Sequence, residues 1–170
     1  MSSPNAENRA STLLRHRFTT AMTLPVPQRE VFAFFSDAAN LERITPPELH
    51  FKILTPMPIA LAAGALIDYR LGLFGFSFQW STEISVWDPP HRFVDTQLRG
   101  PYKEWVHTHQ FRQTGSSTEI LDDVRYRLPF SPLGEIAYPL VRLQISRIFS
   151  YRGAVLRKLL GAKAAGDHRS

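Results

Sequence analysis

Lys103-Glu-Trp-Val-His-Thr-His-Gln-Phe111 and Thr118-Glu-Ile-Leu-Asp-Asp-Val-Arg-Tyr-Arg-Leu-Pro129 are two β-patterned segments separated by Gly115-Ser116, and a long amphipathic segment follows them. Side chains alternate across a strand, so Trp105, His107, His109 and Phe111 share one face of the first segment. Thr118, Ile120, Asp122, Val124, Tyr126 and Leu128 share one face of the second. A pure core does not need the histidines and the aspartate, and a solvent face does not need the tryptophan and phenylalanine. The mixture suits the wall of a cavity that holds a mostly apolar molecule and orients it with a few polar contacts.

Working outward, Arg15–Leu24 alternates as a first strand, closed by Pro25 and Pro27. Pro27 can start a helix whose buried side is Val31, Phe32, Phe34 and Phe35. Ser36 and Asp37 can cap a second short helix carrying Leu41 and Ile44, which Pro46-Pro47 ends. Leu49–Leu54 reads as a strand and Thr55–Ala63 as an apolar loop. Strands then follow at Ala65–Leu71, Phe76–Trp87, His91–Arg99 and Lys103–Gln113, separated by glycine and proline signals. Such short connections imply an antiparallel meander. From Leu133 to about Leu160, Ala137, Val141, Ile145, Ile148, Val155 and Leu159 fall in one helical stripe, with a kink or first-turn break expected at Pro139. The expected fold is therefore α+β: a curved antiparallel sheet of about seven strands wrapped around a long C-terminal helix, with two short helices after the first strand.

At 170 residues, with 44% hydrophobic and 21% charged residues, the chain has the size of one domain. Residues 1–11 read as a disordered lead-in, 12–160 as the domain and 161–170 as a basic flexible tail. There are no cysteines, which excludes disulfides and thiol chemistry and fits a reducing, cytoplasmic setting. No apolar run approaches the roughly 20 residues of a bilayer span, and the first residues lack the apolar stretch of a secretory signal. The net charge of +5 is spread along the chain, with small concentrations at Arg15–Arg17 and at Arg157, Lys158, Lys163, His168 and Arg169. No basic block is interleaved with aromatics, so nucleic acid is not an expected partner; transient contact with an acidic membrane surface is.

The order of elements, with Pro27–Asp37 followed by Asn40-Leu41 and Thr45-Pro46-Pro47, Gly64 with Asp68-Tyr69-Arg70, Trp80 with Ile84, Gly100-Pro101-Tyr102 leading to Trp105–Phe111, Thr118 with Asp122 and Tyr126, Leu128-Pro129-Phe130, and Phe149-Ser150-Tyr151-Arg152, resembles the START-like superfamily. This is also the Bet v 1-like or polyketide cyclase and dehydrase group, often labelled SRPBCC. The resemblance spans about Arg15 to Leu160 and is fairly specific for one bacterial branch, as a stand-alone domain. It implies a helix-grip fold and a carrier of lipids, quinones or other apolar molecules, or a cyclase; it does not choose among them.

Among the candidate residues, His107 and His109 stand side by side, roughly 6–7 Å apart at their α-carbons. A His-x-His strand binds metal when a carboxylate joins it. The next acid along the chain, Glu119, is badly placed for that, so no metal and no cofactor are expected. Asp122 and Asp95 sit among apolar neighbours and each needs a partner, since an unpaired buried carboxylate is costly. Arg152, inside the helical stripe, could pair with either or face the polar head of a ligand, and Gln144 lies on the same side. Tyr69, Phe76, Phe78, Trp80, Phe93, Gln97 and Trp105 complete the expected lining, with Thr55–Ala63 and Pro129–Leu133 as rim. The expected partner is thus an apolar small molecule. If the protein is an enzyme, His107, His109, Asp122 and Tyr126 could supply the acid and base of a cyclisation or dehydration. A third possibility is a protein-interaction domain with a filled interior.

Overall fold

Strand β1 (His16–Leu24) and strand β7 (Ser117–Arg127) pair antiparallel over their full length, although about a hundred residues separate them in the chain. The intervening segments form β2 (Lys52–Ile53), β3 (Leu66–Leu73), β4 (Phe76–Asp88), β5 (Arg92–Arg99) and β6 (Glu104–Thr114). The sheet order is β1-β7-β6-β5-β4-β3-β2, a meander closed at one side by the first strand. The computed structural model describes residues 15–130 and 132–167, with side chains to residue 161. The expected lead-in at residues 1–11 and the last three residues lie outside the described residues.

Two short helices carry the chain from β1 to the far edge of the sheet. Helix α1 (Gln28–Phe35) starts after Pro27, which supplies a helix-compatible φ without needing an amide donor, and buries Val31, Phe32 and Phe35. Helix α2 (Asn40–Arg43) follows after a turn in which Asp37 Oδ1 accepts from the Ala39 amide and Asn40 Nδ2 donates to the Phe34 carbonyl. A 3-10 turn over Pro47–Leu49 leads to β2, which is shorter than the strand expected over Leu49–Leu54.

Helix α3 (Tyr138–Asp167) closes the concave face. A 3-10 turn over Leu133–Ala137 precedes it, so Pro139 sits in its first turn, where a missing amide costs nothing. Its buried side chains are Val141, Ile145, Phe149, Leu156 and Leu160. The apolar stripe is rotated from the expected one: Ala137 is exposed and outside the helix, and Phe149 takes the central position. The backbone remains helical to Asp167, so the flexible tail expected from residue 161 is instead part of α3 as far as that residue. Among the described residues no helix is long and apolar enough to cross a membrane.

Three apolar clusters result. One packs α1 and the C-terminal end of α3 against Leu24, Phe93, Phe111 and Ile120. A second packs Val124, Tyr126 and Leu128 under Val141, Ile145 and Phe149. A third gathers Leu49, Leu71, Leu73 and Trp80 at the other end. The space they leave between sheet and helix holds the candidate site.

Candidate functional site

The register of the three central strands builds a checkerboard of charge. Asp95 on β5 stands directly opposite His107 on β6, and His109 stands directly opposite Asp122 on β7. Because alternate residues share a face, all four side chains point inward. They close a ring. His107 Nε2 lies 2.8 Å from Asp122 Oδ1, and His109 Nε2 lies 3.0 Å from Asp95 Oδ2. The remaining nitrogens complete it, with His107 Nδ1 3.4 Å from Asp95 Oδ2 and His109 Nδ1 2.9 Å from Asp122 Oδ1. That last approach is short but misaligned, so His109 Nδ1 has no hydrogen bond. His107, His109 and Asp122 are buried and Asp95 is nearly so.

The electrostatics follow from burial and proximity. Burial alone would raise the Asp122 carboxyl, but the His107 hydrogen bond and the close approach of both imidazoles outweigh it and hold the group well below the usual carboxylate range. Asp95 shows the same contest and ends low through His107, His109 and, at longer range, Arg152. The imidazoles diverge. Burial and the neighbouring His109 push His107 down, towards the neutral form, whereas for His109 the two carboxylates overcome the burial penalty and push it up. The two imidazoles are thus shifted in opposite directions beside two carboxylates and Arg152.

Asp95, His107 and His109 face a cavity with a free volume of about 150 Å³. Tyr69, Trp80, Phe93, Trp105 and Arg152 line it too, as expected from strand alternation. Tyr69 stacks on Trp80 and its hydroxyl meets Thr82 Oγ1 at 3.3 Å. Burial and the charge of Asp95 push the Tyr69 phenol up, so it stays protonated. Trp80 Nε1 and Arg152 Nε are buried without any partner. The expected ion pair of Arg152 with Asp95 or Asp122 is not formed: among the described residues no carboxylate oxygen comes within ion-pair distance of it, and its guanidinium lies 5.0 Å from the Phe149 ring.

Several expected lining residues lie elsewhere. Phe76 is 70% exposed at the tip of the β3–β4 hairpin, where it pairs with Leu73. Phe78 packs into the Leu49–Trp80 cluster rather than onto the cavity. Gln97 donates to the Tyr102 carbonyl at 2.7 Å and fastens the β5–β6 turn, after a bulge between Ser81 and Thr82 has shifted the register. Tyr126 is fully buried in the Val141–Ile145 cluster, and Gln144, half-buried on α3, is not on the lining. Asp122 is behind the imidazoles and borders a second, more polar cleft of about 320 Å³ between β1 and α3, which shares Phe149 and Arg152 with the first. Of the two expected rim segments, Leu61 lines the cavity, while among the described residues none of 129–133 does. Further lining residues, Phe34, Asp37, Asn40, Leu41, Thr45 and Phe51, come from α1, α2 and their flanks. The sequence marks Phe34 and Leu41 as the apolar side of those helices, which equally fits a filled core, and Asp37 as a cap, so none of them is legible as lining.

A curved antiparallel sheet gripping a C-terminal helix over an apolar cavity with one polar wall defines a helix-grip protein of the START-like class. The chain belongs to the family described as polyketide cyclase / dehydrase and lipid transport, whose model matches residues 24–145. Among solved structures, a protein from Thermus thermophilus is similar at 16% identity and a TM-score of 0.70, covering 87% of this chain and 99% of that one. A START superfamily protein from Mycobacterium smegmatis aligns at 13% identity and a TM-score of 0.63, covering 85% and 99%. The ZhuI aromatase/cyclase from a Streptomyces species aligns at 14% identity and a TM-score of 0.63, covering 87% and 98%. Identities this low carry the fold alone. No curated protein matches the sequence.

Proposed function

We propose that the protein binds and carries an apolar small molecule of the lipid, quinone, isoprenoid or polyketide-like kind, whose oxygen-bearing end meets the polar wall of the cavity. The observation that carries this is the pair of unpartnered donors, Trp80 Nε1 and Arg152 Nε, on a lining that is mostly apolar apart from the Asp95–His107–His109 wall and a few hydroxyl and amide groups. A buried donor without an acceptor costs roughly 1–3 kcal/mol, which an incoming carbonyl or hydroxyl oxygen relieves. The free volume of about 150 Å³ matches one ring rather than a long chain, so a longer tail would extend out of the cavity. Native mass spectrometry of freshly purified protein, with extraction and identification of what is released, tests the reading directly. An Arg152→Leu variant is expected to melt close to the wild type and to bind the released compound roughly ten-fold more weakly, about 1.4 kcal/mol. Unchanged affinity would remove Arg152 from the site.

A cyclase or dehydratase is the second reading, favoured by the opposite shifts of His107 and His109 on one cavity wall, which resemble a base and an acid held apart. Tyr126 drops out of that machinery because it does not reach the cavity, and Asp122 acts from behind. Turnover of an aromatic-precursor polyketide by the wild type but not by His107→Gln would select it. Contact with an acidic membrane surface, in a cytoplasmic setting, is supported by the exposed Leu133, Ile136, Leu140 and Leu143 beside Arg142 and Arg147. Flotation with anionic vesicles, lost in Leu140→Glu/Leu143→Glu, tests it; equal flotation of that variant would refute it.

A further inference from the structure

The ring of two histidines and two aspartates is not symmetric about its function. Asp95, His107 and His109 line the cavity, and Asp122 does not. The cavity-facing three can each offer one ligand atom such that all of these atoms lie within 4.8 Å of one another. Asp95 Oδ2 is 3.4 Å from His107 Nδ1 and 3.0 Å from His109 Nε2. Metal–ligand bonds of roughly 2.0–2.1 Å place tetrahedral ligand atoms about 3.3 Å apart, so these two edges are already close to the spacing a transition ion imposes. The third ligand that spacing along the chain fails to supply comes from the neighbouring strand.

The second observation concerns the nitrogens on the far side. His107 Nε2 and His109 Nδ1 both point to the same Asp122 oxygen, at 2.8 and 2.9 Å. A ligating imidazole uses one nitrogen for the ion and donates the other N–H to a carboxylate that fixes its tautomer and orientation. One buried aspartate standing behind both imidazoles is that arrangement. Of the two contacts only that of His107 is aligned as a hydrogen bond, and a small rotation of the His109 ring would let its Nδ1–H donate to the same oxygen. We propose that Asp95, His107 and His109 form a site for a divalent first-row transition ion, with Asp122 as the residue that orients both histidines.

Two histidines and one carboxylate leave open positions, and these face the apolar cavity. The donor set suits zinc or ferrous iron and excludes the hard ions calcium and magnesium, which prefer all-oxygen ligands. Arg152 opposes a cation nearby, but the two carboxylates outweigh it. With the ion in place and both imidazoles neutral, the group Asp95, Asp122, Arg152 and a divalent ion carries a net charge of about +1. An oxygen anion, such as hydroxide, a carboxylate or an enolate, is therefore the fitting occupant of the open position, and Arg152 Nε is a free donor beside it. The site is independent of the carrier reading, because an ion can bind whether or not an organic ligand does.

The test uses the full-length protein after treatment with a chelator, titrated with cobalt(II) and followed by visible absorption, with zinc(II) followed by calorimetry. The expected result is one ion per chain, the intense absorption of a four- or five-coordinate cobalt site, and displacement of cobalt by zinc. Asp95→Asn should abolish that spectrum, and Asp122→Asn, which keeps the three ligands, should weaken zinc binding about 10–100-fold. Circular dichroism confirms that each variant is folded, and the wild-type titration decides the matter if a variant is not. Absence of saturable binding in the wild type overturns the proposal. So does a weak, six-coordinate cobalt spectrum that survives Asp95→Asn, which would place the ion on surface histidines.

Discussion

Asp122 and Asp123 are neighbours in the chain and opposites in the fold. Strand alternation sends Asp122 into the interior, where its partners are two imidazoles, and Asp123 to the outer face, where its partners are Arg17 at 2.8 Å and Arg125 at 3.2 Å. Both carboxyls are held low, and for both the opposing contribution is burial. The resemblance ends there. Asp123 is partly exposed on the outer face, where its guanidinium partners are well hydrated and salt screens them. Asp122 has given up hydration, and only the two histidines compensate. The same residue type on the same strand is therefore a replaceable surface contact in one case and a member of an interdependent group in the other, and the deciding variable is the face of the pleat.

The largest expected effect is the one that breaks the inner region. Asp122→Ala removes the acceptor of His107 and the charge beside His109, and a buried pair that loses one partner costs about 3–5 kcal/mol. Urea unfolding monitored by tryptophan fluorescence measures it. A loss below about 1 kcal/mol would mean that water reaches the ring and that the contrast between the two faces is false.

Acid unfolding sharpens the comparison without removing an atom. A carboxyl whose folded value lies below its unfolded value near 4 contributes stability that is complete above about pH 5 and lost as the pH falls towards the folded value. Asp122 and Asp95 both act in this direction. His107, held down, adds a loss of the same sign as the pH falls below about 6.5. His109, held up, contributes stability that is present below that value and lost as the pH rises through its folded value. The histidines oppose each other near neutrality, so the carboxylates govern the acid limb. In chelator-treated protein, the urea midpoint should fall steeply between about pH 5 and 2. The slope should flatten in Asp122→Asn and persist in Asp123→Asn. Equal slopes in all three proteins would assign acid unfolding to surface charge.

These two faces also separate what the sequence discloses from what it hides. The inward set Thr118, Ile120, Asp122, Val124, Tyr126 and Leu128 is legible because a period of two is unambiguous over a long strand, and every one of these residues is buried. The seven strands, the closing helix and the antiparallel order are legible for the same reason, as periodicity and turn residues are local properties. What periodicity cannot convey is phase and reach. With Ile148 and Phe149 adjacent, a stripe drawn through Ile148 can be rotated by part of a turn onto Phe149 without breaking the pattern, so the central place of Phe149 escapes notice. Phe76 has the right parity but stands at the tip of its hairpin, where it is exposed. Asp95 meets His107 only through pairing between β5 and β6, so distance along the chain misses the carboxylate that completes a histidine cluster. The sequence pattern finds faces; cross-strand register finds sites.

The smallest expected effect belongs to the outer region. Asp123→Asn should cost no more than about 1 kcal/mol, and a double-mutant cycle with Arg17→Ala should give a coupling of similar or smaller size. Arg17 remains near Arg125, so losing Asp123 also leaves two guanidinium groups facing each other on the surface, which adds a repulsion that salt weakens. The cost measured in urea should therefore shrink when salt is raised to about 1 M, where the screening length is roughly 3 Å. The Asp122 effect, inside the sheet, should hardly respond to the same salt. If both effects shrank together, the ring would be in contact with bulk ions through the cleft beside β1, and the inner face would have to be treated as a solvated charge cluster rather than as a buried wall.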